Sequence, residues 1–373
     1  MPNKLKYAVF SILIFCCAMS SYYFYSQSTI RHAVDAYLTE CTHKKLFSGS
    51  ILMAREGKVI IRKGYGMANY ELNIANSSET KFRLASLTKQ FTAFAIIQLT
   101  QKKLLSVTNT LDSYIPDYPH GNEITIQHLL MHTSGVVNFT DLPEYNEIKN
   151  SSIVNIQDII TLFKNKPLGF KPGSQYEYSN SGYILLSHII EKVSKKTYAD
   201  YINENVFKPL NMNNSGYDQS ELTLENRASG YILFSEKNSF ESKEISIHKA
   251  SCLNMQIPLG AGGLYSTVED LFIWSQLLHS GDKAVSALID STIFMNNDPK
   301  KASSMSYGYG IIVDTDYSTS HKKIIFHNGE IDGFSSIMMQ IVDENITIII
   351  LSNFEHADIN TIANNIAGII LCK

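Results

Sequence analysis

A chain of 373 residues is long enough for one large domain or two of ordinary size. Its 44% hydrophobic and 18% charged residues describe a folded protein and argue against both disorder and a multi-span membrane protein. The net charge of -3 and the lack of a basic stripe interleaved with aromatics argue against nucleic-acid binding.

Lys4 and Lys6 precede an apolar run from Tyr7 to Met19, followed by Ser20 and Ser21. The run is short for a membrane span, and Ala18 and Ser20 are small residues at the spacing a signal peptidase prefers. Residues 1–20 therefore read as a secretory signal cleaved after Ser20, which implies a secreted or periplasmic protein. The alternative is a membrane anchor through residues 1–25, because apolar character resumes at Tyr22-Tyr23-Phe24-Tyr25. The cysteines left after export, Cys41, Cys252 and Cys372, are odd in number and widely spaced, which is neither a disulfide framework nor a zinc pattern.

Ile30, Ala33, Val34, Tyr37 and Leu38 predict an amphipathic helix. Ser50–Ala54 and Lys58–Arg62 then read as strands of a hairpin whose turn uses Gly57 for its positive φ. In Phe82-Arg83-Leu84-Ala85-Ser86-Leu87-Thr88-Lys89-Gln90-Phe91, a hydroxyl and an amine stand three residues apart at the start of a helix. That spacing puts Lys89 on the face of Ser86, where the amine can help remove the hydroxyl proton. Ser86 also falls among backbone N–H groups without helical partners, one of which can stabilise an oxyanion. Apolar residues on nearly all sides from Phe91 to Leu99 predict that this helix is buried and its first turn rigid.

Residues 101–259 read as an inserted, mainly helical domain punctuated by prolines, set between the two halves, 28–100 and 260–373, of a discontinuous sheet domain. Within it, His128 and His132 stand four apart, but no glutamate follows His128 and no third ligand is evident, so both read as structural and no metal or cofactor is expected. Tyr178-Ser179-Asn180 reads as a loop before a helix. A phenol beside a lysine ammonium loses its proton more easily, which would make Tyr178 a general base, and Asn180 could accept from Lys89. Gly260-Ala261-Gly262-Gly263 lacks the lysine of a phosphate loop and reads as a close backbone approach. Val268–Leu278 predicts a helix capped by Ser266 or Thr267, and Ile359–Leu371 a closing helix. The β-branched segments between them predict antiparallel strands, one ending in His327-Asn328-Gly329-Glu330. There, His327 could hold a substrate carboxylate and Gly329 could admit a ligand close to the backbone. The expected fold is α+β: an antiparallel sheet flanked by helices, with the helical insertion.

Ser86-x-x-Lys89, Tyr178-x-Asn180 and His327-x-Gly329, in this order, resemble the serine β-lactamase and penicillin-binding superfamily, in its class C, DD-peptidase and esterase branch. The resemblance runs from about residue 30 to 370 and takes in His128 to Gly135, Pro172-Gly173 and Tyr307-Gly308-Tyr309-Gly310. It implies that Ser86 is the acylated nucleophile, that Lys89 and Tyr178 share proton transfers, and that Asn180 positions substrate. By the same resemblance, the backbone N–H groups of Ser86 and Glu330 form the oxyanion hole, and His327 replaces the lysine of the third motif. Losing that permanent cation weakens the site for a carboxylate at neutral pH. The expectation is a secreted serine hydrolase acting on a small-molecule or peptidoglycan-like amide or ester. The alternative is a catalytically silent binding protein on the same fold.

Overall fold

The computed structural model describes residues 27–149, 151, 155–219, 224–236, 244–251, 253–295, 304–317 and 321–372. The expected signal, residues 1–20, and Cys252 lie outside them. No helix among the described residues is long and apolar enough to cross a membrane.

Both ends of the chain build one eight-stranded antiparallel sheet. Its spatial order is Ile293–Phe294, Met305–Tyr307, Ile312–Tyr317, Lys322–Ile331, Phe334–Ile341, Ile346–Ser352, Gly49–Arg55 and Lys58–Tyr65. Arg55 pairs with Lys58, leaving Glu56 and Gly57 as a two-residue turn with φ of 52° and 73°. Two positive φ values match the right-handed twist of the flanking strands.

The sheet is apolar on both faces because its strands alternate between two cores. In Ile346–Ser352, Ile349 and Leu351 join one core, while Ile346, Ile348 and Ile350 join the other. Met338 and Met339 divide in the same way, as the two-residue period requires. On the second face lie the opening helix, residues 27–43, and the closing helix Ile359–Leu371. The first face carries the helix Thr88–Gln101, in which residues 88–97 and 99 are all buried. Trp274, from the Thr267-capped helix Val268–Leu278, is fully buried there and donates from Nε1 to Gln90 Oε1 at 2.8 Å.

The insertion is less purely helical than its sequence suggests. Tyr231–Glu236 and Glu244–Lys249 form a hairpin within it, and Gly216–Tyr217 joins Leu264–Ser266 and Phe82–Arg83 in a small sheet. Ile184 and Leu186 of the insertion share a core with Phe91 and Ile349, so the insertion packs continuously against the nucleophile helix and the sheet.

Candidate active site

Ser86 sits in the single 3-10 turn Ala85–Leu87, which runs directly into the helix Thr88–Gln101. Ala85, just before it, has φ of 49°, a left-handed conformation that costs a non-glycine residue about 1–3 kcal/mol. The turn is held from outside by the strand carrying His327. A methyl group on Gly329 would stand 2.4 Å from Leu84 O and 2.8 Å from Ser86 N. The bare Cα of Gly329 thus lets a strand approach the nucleophile turn, whereas the sequence suggested that it admits a ligand. Gly310, at φ 72°, serves the same helix, since a Cβ there would meet Lys89 O at 2.6 Å.

The structure brings Ser86, Lys89, Tyr178 and Asn180 together. Lys89 Nζ lies 3.0 Å from Ser86 Oγ, 2.8 Å from Asn180 Oδ1 and 2.8 Å from the carbonyl oxygen of Ala261. Asn180 opens the helix Asn180–Ser194, so its side chain is fixed by regular structure behind it. Ala261 comes from the short turn Leu259–Gly262, where Gly260 packs tightly: a Cβ on it would meet Ser187 Oγ at 2.3 Å. A backbone carbonyl as a lysine partner has no signature in sequence, and this contact was missed.

Burial decides the charge of the centre. Lys89 is fully buried, and desolvation holds its amine well below the ordinary lysine range. The rings of Tyr178 and Tyr183 lie 4.8 and 5.4 Å from Nζ. Cation–π attraction of about 2 kcal/mol is smaller than the several kcal/mol of burying an ammonium. Burial also pushes the Tyr178 phenol above its usual range, against the pull of a hydrogen bond with Ser86. The sequence expectation of a lysine ammonium drawing the proton from Tyr178 is therefore corrected: the amine is the group inclined to be neutral, and the phenol keeps its proton.

His327 is likewise not the carboxylate holder expected. It is buried, donates from Nδ1 to the carbonyl of Asn328 at 2.6 Å and accepts at Nε2 from the Tyr307 hydroxyl at 3.0 Å. Desolvation and the nearby Lys89 push its pKa down to about 3, so the ring is neutral and its nitrogens are occupied. It packs behind Tyr178, with ring centroids 6.3 Å apart. His132 forms the other wall of Tyr178, centroid to centroid 4.2 Å, and accepts the Ser179 N–H at Nδ1. His128 accepts the Thr125 N–H in a helix cap. Both histidines have the structural roles expected of them.

A cleft of about 230 Å³ opens onto Ser86. Asn180 and Glu330 line it with Ser86, as do Phe139, Tyr145 and Asp332. The Glu330 carboxylate is half exposed and paired with His356. Next to the cleft, and sharing Asp332 with it, is a second pocket whose lining includes Arg83, Arg227 and Lys249.

A family model described as Beta-lactamase matches residues 29–368. Among curated proteins, penicillin-binding protein 4* of Bacillus subtilis (strain 168) is 31% identical over 320 residues, 84% of this chain and 69% of that one. The chain spans 59 to 69% of the length of the first curated relatives it matches. The octameric penicillin-binding protein homologue from Pyrococcus abyssi has a TM-score of 0.76 at 25% identity, covering 92% of this chain and 77% of that one. D-amino acid amidase from Ochrobactrum anthropi SV3 has a TM-score of 0.77 at 20% identity, covering 91% of this chain and 99% of the other, a likeness of fold.

Proposed function

The chain belongs to the beta-lactamase family, and on that premise we infer that it is a serine hydrolase working through an acyl-enzyme on Ser86. The observation carrying this reading is the set of three partners around the buried Lys89 amine. A neutral amine has two N–H bonds and one lone pair. Asn180 Oδ1 and the Ala261 carbonyl can only accept, so they take the two donors, and the lone pair is left for the Ser86 O–H.

Ser86 Oγ then attacks a carbonyl carbon as its proton passes to Lys89. The carbonyl π pair moves to oxygen, and the negative charge faces the N–H groups of Ser86 and Glu330, as the resemblance implies. Tyr178, protonated at rest, gives its proton to the leaving amine or alcohol as that bond breaks, and recovers one from Lys89. Water enters by the same steps to release the acyl group and regenerate Ser86. His327, buried and neutral, supplies no cation for a substrate carboxylate, which supports small amides and esters ahead of β-lactams.

The test is labelling with a fluorophosphonate, followed by intact mass. One adduct on the wild-type protein and none on Ser86→Ala is the expected result. A folded wild-type protein that takes no label would favour a silent binding protein instead. We also infer export with removal of residues 1–20, which N-terminal sequencing of the protein recovered from outside the cytoplasm checks: a start at Ser21 supports it, and an intact Met1 indicates a tether.

A further inference from the structure

We propose that this cleft selects acyl donors bearing a free amine, such as an amide or ester of an apolar amino acid, with Glu330 and Asp332 holding the ammonium. The proposal rests on the acyl-enzyme reading and adds to it the class of substrate.

Among the described residues, the only charged side chains lining the cleft onto Ser86 are two carboxylates, Glu330 and Asp332. They stand two residues apart: Glu330 is near the end of the strand Lys322–Ile331, and Asp332 with Gly333, at φ 80°, connects that strand to Phe334–Ile341. His356 pairs with Glu330 at the surface, and the two basic groups beside Ser86, Lys89 and His327, are buried behind the wall, where desolvation disfavours positive charge on both. An ammonium entering here meets net negative charge, whereas a carboxylate meets repulsion. The remaining lining includes Phe139, Tyr145, Leu253 and Ile257, which suits an apolar side chain.

Cations do stand nearby, on the far side of Asp332. Arg83 and Arg227 in the adjoining pocket each donate to Asp218 Oδ2 at 2.8 Å, and Lys249 lines the same pocket. Arg83 and Arg227 thus share one buried carboxylate, and Asp332 stands between this basic pocket and the acidic cleft. A substrate with an anionic tail would have to reach past Asp332 to find it.

The experiment uses p-nitrophenyl esters and p-nitroanilides of phenylalanine, in both stereoisomers, as the free amine, the N-acetyl and the N-succinyl derivative. At pH 7 an α-amine is largely protonated. The expected result is a kcat/KM at least about tenfold higher for the free amine than for the N-acetyl compound, with the succinyl compound slowest. In Asp332→Asn combined with Glu330→Gln, the amine advantage should fall to about threefold or less. Fluorophosphonate labelling of Ser86 in that variant shows that its site is intact. Equal rates for amine and acetyl compounds, an advantage that survives the double substitution, or a preference for the succinyl compound would each overturn the proposal. The last result would point to the basic pocket. A labelled Ser86 with no turnover of any of the three also rejects this substrate class while sparing the hydrolase reading. No label and no turnover removes both.

Discussion

Lys89 pays for its position with its charge, and that has a kinetic signature. The proton-accepting form is the neutral amine, so kcat/KM should rise with pH as Lys89 deprotonates. Because burial lowers that pKa, the rise should be complete well below the ordinary lysine range. A pH–rate profile checks this, and an acid limb centred in the ordinary range would contradict it. His327 gives a second, thermodynamic signature. Its folded-state pKa of about 3 lies below its unfolded value of 6.5, so between those limits the unfolded chain binds more protons and stability falls as pH falls. One such group contributes a slope of up to about 1.4 kcal/mol per pH unit, and His132, depressed in the same direction by burial, adds its own. Urea unfolding across pH 4.5 to 7.5 should show the slope shrinking by about one proton in His327→Gln. An unchanged slope would mean that His327 titrates normally in the folded protein. Neither charge state was legible in the sequence. Spacing places Lys89 beside Ser86, but only packing against Tyr178, Tyr183 and Ala261 tells whether the amine is wet.

At the scale of elements, the site depends on how closely one strand meets one turn. Gly329→Ala would push its methyl group to 2.4 Å from Leu84 O, a backbone atom that cannot swing away. The strand must retreat from Ser86, so labelling of Ser86 should slow at least about 100-fold, while overpacking costs about 1–3 kcal/mol of stability. Full reactivity in Gly329→Ala would show that the strand is not what fixes the turn. The hairpin at Glu56-Gly57, the cap at Thr267 and the burial of Thr88–Gln101 follow from short-range rules, and sequence anticipates them well. The hairpin of Tyr231–Glu236 and Glu244–Lys249 was absorbed into a helical segment. Its alternation at Ile245 and Ile247 was the available signal. The Ala261 carbonyl and the place of Asp332 beside the cleft depend on segments far apart in the chain, so no local pattern announces them.

For the whole molecule, the decisive fact is that the described residues of 101–259 share their core with the sheet and the nucleophile helix. Ile184 and Leu186 belong to one apolar cluster with Phe91, Trp274 and Ile349. Unfolding should therefore be one transition. Trp274, the sole tryptophan, reports this shared core through its fluorescence, and its melting curve should coincide with that of far-ultraviolet circular dichroism. Two separated transitions would mean that the insertion folds alone. An eight-stranded open sheet also has two borders, each a template on which a second molecule could add a strand. One border is the two-residue strand Ile293–Phe294, too short to template much. The other, Lys58–Tyr65, is long but carries Lys58, Arg62 and Lys63, the last two paired with Glu269 and Asp35, and charged side chains on an edge strand hinder a second strand from adding to it. Brevity at one margin and charge at the other are two of the devices by which open sheets discourage edge-to-edge growth.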